Sequence, residues 1–195
     1  METEKYKLTE ETINVMDRTL HRIEALIDFG NVKKGDKGGF VENERNLSQY
    51  DECWIFDNAK VLGNAEVYDN AKGFGNALVF SDAIVYGKAE VFGKAEVYDN
   101  AKVFDNAKVF GNAEVYGDVI VCGDAIITSN SDYIVFKNWW SSGRYFIWTR
   151  SNNMWTVGCF YGTGEELIEK AYKDSELSGR EYKRVVDYVK SILNQ

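Results

Sequence analysis

Residue types that do acid–base or covalent chemistry are few and scattered in this chain of 195 residues. His21 is the only histidine, and a general base needs a pKa near neutrality, which histidine supplies most readily. Flanked by Arg22 in an N-terminal cap segment, it reads as structural. Cys53, Cys122 and Cys159 lie far apart and lack the spacing of a zinc cluster. Cys159, in Gly-Cys-Phe, has no histidine near it in sequence to activate it, and reads as a buried small residue. No Gly-x-x-x-x-Gly-Lys-[Ser/Thr] phosphate loop and no Gly-x-Ser-x-Gly elbow occurs. What remains is binding chemistry. Asp99, Asp105, Glu114 and Asp118 are outward carboxylates that suit a basic partner. Trp139, Trp140 and Arg144 are aromatic and guanidinium groups of the kind that anchor interfaces. Arg144, Tyr145 and Arg150 near the tryptophans would suit a stacked nucleotide, although a domain of this size needs aromatic bulk for its own core.

These residues hang on a repeat. From Ile55 to Asp132 a six-residue unit, Val-[Tyr/Phe]-[Gly/Asp]-Asn-Ala-[Lys/Glu], recurs thirteen times. The aliphatic position is broken only at Gly73. Alanine recurs four residues later from Ala59 to Ala125, broken at Val119. So short and strict a period specifies a solenoid. Alternation turns Ala and the following Val inward and sends the residues between and after them outward. The corner falls on [Gly/Asp]-Asn, residue types that tolerate positive φ. Three units make a coil of eighteen residues, and like residues stack about 4.8 Å apart on successive coils. The repeat gives a little over four coils. Val41, Leu47 and Cys53 continue the alanine phase backward and imply a fifth, irregular one.

The flanks close the solenoid. Residues 1–54 are the expected cap. Lys5–Val15 and Leu20–Phe29 flank the turn Met16-Asp17-Arg18-Thr19 as a β-hairpin, with a short helix the competing reading. Gly35-Asp36-Lys37-Gly38-Gly39 reads as a loop. Residues 133–195 form an α+β domain. Tyr133–Asn138, Tyr145–Arg150 and Met154–Phe160 are its three expected strands. Thr163-Gly164-Glu165-Glu166 opens a helix to about Lys173, and Ser178-Gly179-Arg180-Glu181 one to about Leu193. Val185, Val186, Val189 and Ile192 give the second helix its apolar stripe.

The net charge of -8 is unevenly spread: residues 1–54 carry -4, the repeat -6 and the tail +2. An acidic solenoid does not attract duplex nucleic acid, but it suits a basic protein groove that normally holds it. No apolar run is long enough to span a membrane, and the N-terminus lacks the apolar core of a signal peptide. The odd, dispersed cysteines fit a reducing cytosol.

The small-x-aliphatic spacing resembles the hexapeptide-repeat, left-handed β-helix family, which implies a mainly β, left-handed parallel β-helix. Tyr or Phe stands here where that family usually has glycine. The leader resembles the one that opens hexapeptide-repeat proteins of phages and prophages. Leu20-His21-Arg22-Ile23-Glu24-Ala25-Leu26, Gly35-Asp36-Lys37-Gly38-Gly39-Phe40-Val41-Glu42 and Asn46-Leu47-Ser48-Gln49 carry that likeness. Val157-Gly158-Cys159-Phe160-Tyr161-Gly162-Thr163 resembles a terminal module of small phage proteins. Acyltransferases of this fold use a histidine between coils, and its carbonic anhydrases hold zinc through three histidines. This chain has no histidine in the repeat, and no loop interrupts the register. Ice-binding solenoids present threonine rows, whereas Thr128 is the only threonine in the repeat.

Sorting the position after each Val by eighteen gives three outward columns. The first is Phe56, Phe74, Phe92, Phe110 and Thr128; the second Leu62, Phe80, Tyr98 and Tyr116; the third Tyr68, Tyr86, Phe104 and Cys122. The phenylalanine column is too apolar to leave in water, so another subunit or the terminal domain is expected to cover it; it is the expected homo-oligomer interface, and the resemblance implies a trimer, with a dimer the alternative. The expected function is that of a non-enzymatic phage-encoded protein, without cofactor, in the bacterial host cytosol. It would bind a host protein, such as a nucleic-acid-binding defence factor of the CRISPR type. The alternatives are a sponge for a nucleotide signal, an acyltransferase and a virion-associated scaffold.

Overall fold

The computed structural model describes residues 4–193. Mainly β, it divides into two compact units, residues 1–132 and 133–195. The first is a parallel β-solenoid of about five turns. Thirteen two-residue strands, from Trp54–Ile55 to Ile126–Ile127, stack into three sheets. Each strand pairs in parallel with the strand eighteen residues on, as in Glu90↔Lys108 and Val91↔Val109. Backbone N–H groups of one coil donate to carbonyls of the next, as from Phe56 to Gly73 (2.8 Å), Phe74 to Val91 (2.9 Å) and Phe92 to Val109 (2.9 Å). Two kinds of apolar column, of alanines and of valines, fill the interior behind each of the three sheets and are almost wholly buried. The cross-section holds no more than these small side chains, which is why the repeat is so strict.

The corners turn on the third residue of each unit. Asp57, Asp69, Asp99 and Asp105 stand there at φ of 54, 57, 57 and 59. These aspartates also join coils: the Gly75 N–H donates to Asp57 (3.0 Å), Gly87 to Asp69 (3.1 Å), Gly117 to Asp99 (3.2 Å) and Gly123 to Asp105 (3.0 Å).

The N-terminal segment is the hairpin. β1 (Tyr6–Val15) and β2 (Arg18–Ala25) pair antiparallel around Met16 and Asp17, both at positive φ. β3 (Lys37–Val41) pairs antiparallel with β2 and in parallel with the Lys60–Val61 strand, so cap and solenoid share one seven-stranded sheet. The expected loop at Gly35–Gly39 is therefore a strand from Lys37 onward. Gly38 and Gly39 stand there for closeness. A Cβ on Gly39 would lie 2.4 Å from the Ala59 carbonyl oxygen, and one on Gly38 2.5 Å from that of Ile55.

The irregular coil exists in a different phase from the one the spacing suggests. Val41 pairs with Val61 and Leu47 bridges Val67, whereas Ile55 pairs with Gly73. Val41 and Leu47 thus occupy the valine column, not the alanine column. Two extra residues lie between Leu47 and Ile55, and they restore the regular phase. The buried Asn46 side chain donates to the Ala65 (2.8 Å) and Gly63 (3.1 Å) carbonyls and stitches this coil to the next.

The second unit is a four-stranded antiparallel meander, Tyr133–Lys137, Tyr145–Thr149, Met154–Val157 and Phe160–Gly162, followed by α1 (Gly164–Asp174) and α2 (Glu176–Leu193). The expected third strand breaks at Gly158, whose φ of 60 turns the chain back into a fourth. Thr163 and Glu166 form the capping box of α1. α2 begins earlier than Ser178, because the Ser175 hydroxyl accepts the Ser178 N–H (3.1 Å) and takes the capping role. Phe146, Trp148, Trp155, Val157, Leu167, Val186 and Val189 form the core of this unit.

Candidate functional site

The three outward faces of the solenoid differ in chemistry. On the first, rings stack coil on coil: Phe56 on Phe74 at 4.7 Å and Phe92 on Phe110 at 4.5 Å, nearly parallel. All four phenylalanines are half-buried. The charged row beside them alternates in sign, with Lys72, Glu90 and Lys108 in register and a Lys108–Glu90 ion pair at 2.8 Å.

The second face begins under the hairpin. Leu20, Phe40 and Leu62 bury together, with Ile13, Val15, Leu78 and Phe80 packed against them. Beyond that cover the column continues as Tyr98 and Tyr116, stacked at 5.1 Å, with Tyr116 45% exposed. Here the charged row repeats one sign: Glu96 and Glu114 are direct partners on adjacent strands. With Asp82, Asp99 and Asp118 on the same face and its corner, carboxylates face Lys60 as the only cation of these four repeat units. The Tyr98 hydroxyl donates to Glu114 (3.2 Å). Desolvation first, and then this bond, push the Tyr98 phenol up to about 12.

Of the four acids the sequence singles out, Asp99, Glu114 and Asp118 thus share the second face. Asp118 accepts from the Asn100 amide (3.1 Å). Asp105 lies instead on the corner after the third face, where Tyr68, Tyr86 and Phe104 stack at 5.0 and 4.7 Å. Asp99 and Asp105 each spend one carboxylate oxygen on the glycine of the next coil, so they are structural as well as exposed. Glu96, absent from the sequence candidates, completes the acidic row. Sorting the [Lys/Glu] position by eighteen, as the aromatic position was sorted, is the signal that finds it.

The tail residues divide. Trp139 is 83% exposed, at a turn built by the buried Asn138, whose Oδ1 accepts the Trp140 (3.1 Å) and Ser141 (2.9 Å) N–H groups. Trp140 packs edge-on to Tyr182 and against the core; its indole N–H is buried without a hydrogen-bond partner among the described residues. Arg144 is exposed and lines a small cavity with Cys159, Lys170, Asp174 and Tyr182. Tyr145 lies beneath the Lys137 ammonium at 5.4 Å.

His21 lies on β2 with Nδ1 3.1 Å from the Thr9 carbonyl oxygen, a cross-strand contact within the hairpin. Cys53 and Cys122 are buried and Cys159 is exposed. Among the described residues no group of three or more His, Cys, Asp or Glu is placed to hold a metal ion. No helix among them is long and apolar enough to cross a membrane. No family model matches the chain, and no curated protein matches it.

Proposed function

We propose that the chain is a non-enzymatic binding protein whose second solenoid face engages a basic segment of a partner protein. The observation that carries this reading is the like-charge register of Glu96 and Glu114 beside Tyr98 and Tyr116. Like charges directly opposite one another destabilise a sheet, and the first face of the same solenoid avoids that cost by alternating sign. An arginine-bearing segment would relieve the repulsion and place a guanidinium group against the exposed Tyr116 ring. Trp139 offers an exposed aromatic anchor in the second unit. The phenylalanine column is the proposed contact between copies of the chain.

The resemblance of the leader to phage-encoded repeat proteins makes a bacterial defence protein with a nucleic-acid-binding groove the proposed partner class. Such a groove is lined with cations, of which the second face has Lys60 alone in its four repeat units. The test is capture from bacterial lysate by the tagged chain beside its Glu96→Lys/Glu114→Lys variant, with mass spectrometry of what is retained. A basic nucleic-acid-binding protein held by the parent chain and released from the variant is the expected result. Equal capture by both would overturn the assignment of this face.

A further inference from the structure

A lysine and a cysteine are buried against each other where the hairpin meets the first coil. Lys5 is 2% exposed and Cys53 0%. Lys5 Nζ lies within donor range of the carbonyls of Tyr50 (2.9 Å), Cys53 (3.0 Å) and Asp51 (3.4 Å), and 3.2 Å from Cys53 Sγ. The Phe29 ring lies 5.2 Å from the same nitrogen. Gln49 fixes the backbone there: its Oε1 accepts the Lys5 (2.9 Å) and Tyr6 (3.2 Å) N–H groups, and its Nε2 donates to the Tyr6 carbonyl (3.2 Å). Both reactive atoms are thus held in contact by a frame neither can easily leave.

We propose that Lys5 and Cys53 are an oxidative cross-linking site, joined by a Nζ–Sγ bond in the presence of a peroxide. The lysine amine takes the thiol proton across the hydrogen bond, and the thiolate attacks the peroxide. An S–O bond forms, the O–O bond breaks, and the departing hydroxide takes the proton from the lysine and leaves as water. The deprotonated amine then attacks the sulfenic sulfur. The N–S bond forms, the S–O bond breaks, and the departing hydroxide takes a proton from Nζ and leaves as a second water. Sulfur is oxidised by two electrons and the peroxide is reduced to water, so atoms and electrons balance.

Burial favours the neutral partners this sequence needs. It lowers the Lys5 pKa and raises that of the Cys53 thiol. The turn beside the pair, Tyr50-Asp51-Glu52, is exposed. The product fastens β1 to the first coil. The Lys5–Cys53 pair stands apart from the proposed binding face, so either assignment can fail without the other.

The test is hydrogen peroxide treatment of the full chain, followed by tryptic peptide mapping without reductant. The exposed Cys159 reports that oxidant acted. The expected product joins the Lys5 and Cys53 peptides, is lighter than their sum by two hydrogen atoms, resists cleavage after Lys5 and reverts with dithiothreitol. In Lys5→Arg, which keeps the cation, the link should vanish and Cys53 should instead gain oxygen. Oxidised Cys159 with Cys53 unmodified in the parent chain would overturn the site, and so would Cys53 carrying oxygen atoms without a link.

Discussion

The first and second faces of the solenoid are built on the same interior and the same backbone ladder, yet they treat charge in opposite ways. On the first, Lys72, Glu90 and Lys108 alternate and pair. On the second, Glu96 stands directly opposite Glu114, with three corner aspartates close by in the same coils. The valine and alanine columns that define the coils do not depend on the sign of an outward residue. Alternation on one face shows that the scaffold accepts neutralised rows. A repeated sign on the other is a register the coils themselves do not require, and it is the observation behind the proposed basic partner. The aromatic columns differ in the same sense: the first is all phenylalanine, while the second grades from a buried leucine under the hairpin to exposed tyrosine.

The comparison can be broken most forcefully on the phenylalanine side. Replacing Phe74, Phe92 and Phe110 together by Ser removes every ring stack of that column, at about 1 kcal/mol for each stack lost. The expected outcome is a drop in solution mass to the single chain by light scattering, with the β-rich circular dichroism retained because the interior is untouched. An unchanged mass would remove the phenylalanine face as the contact between copies.

A smaller effect comes from alkali, and on the second face Tyr98 carries it. The folded chain holds the Tyr98 proton more tightly than the unfolded chain, whose phenol titrates near 10.0. That contribution is complete below about pH 10 and is lost as pH rises through about 12. Chemical denaturation from pH 9 to 12 (roughly the phenol range) should show stability falling, and Tyr98→Phe should flatten the fall. An identical decline in the variant would place the alkaline sensitivity elsewhere, Tyr68 and Tyr86 being the other column phenols whose pKa burial raises.

The regular coils were legible in the sequence because the interior is too narrow to admit exceptions, so every unit declares its phase. The leader was less so. Val41 and Leu47 are spaced in sixes with Cys53, and that spacing hides the two residues inserted before Ile55. Only the pairing partners Val61 and Val67 reveal the shift. Gly38 and Gly39 read as a loop because glycine signals both turns and close backbone approach, and sequence alone does not separate the two. In the second unit Gly158 had the reverse ambiguity and proved to be a turn. Of the candidate site, Asp99, Glu114 and Asp118 were found and Glu96 was missed, because acids were picked by exposure and not by register. The Lys5–Cys53 contact joins residues far apart in sequence and leaves no local pattern.

The most direct measurement is the thermal melt of Glu96→Lys against the parent chain. The substitution copies onto the second face the Glu–Lys register of the first, exchanging a like-charge pair for an opposite one at a gain of about 1 kcal/mol. For a chain of this size that raises the melting temperature by roughly 2–4 °C, and high salt should shrink the difference. A variant that melts higher than its parent and no longer retains the basic partner is the result expected of a face that holds its charge for binding. A variant that melts at or below the parent would contradict the claim that the acidic row is kept at a cost to the fold.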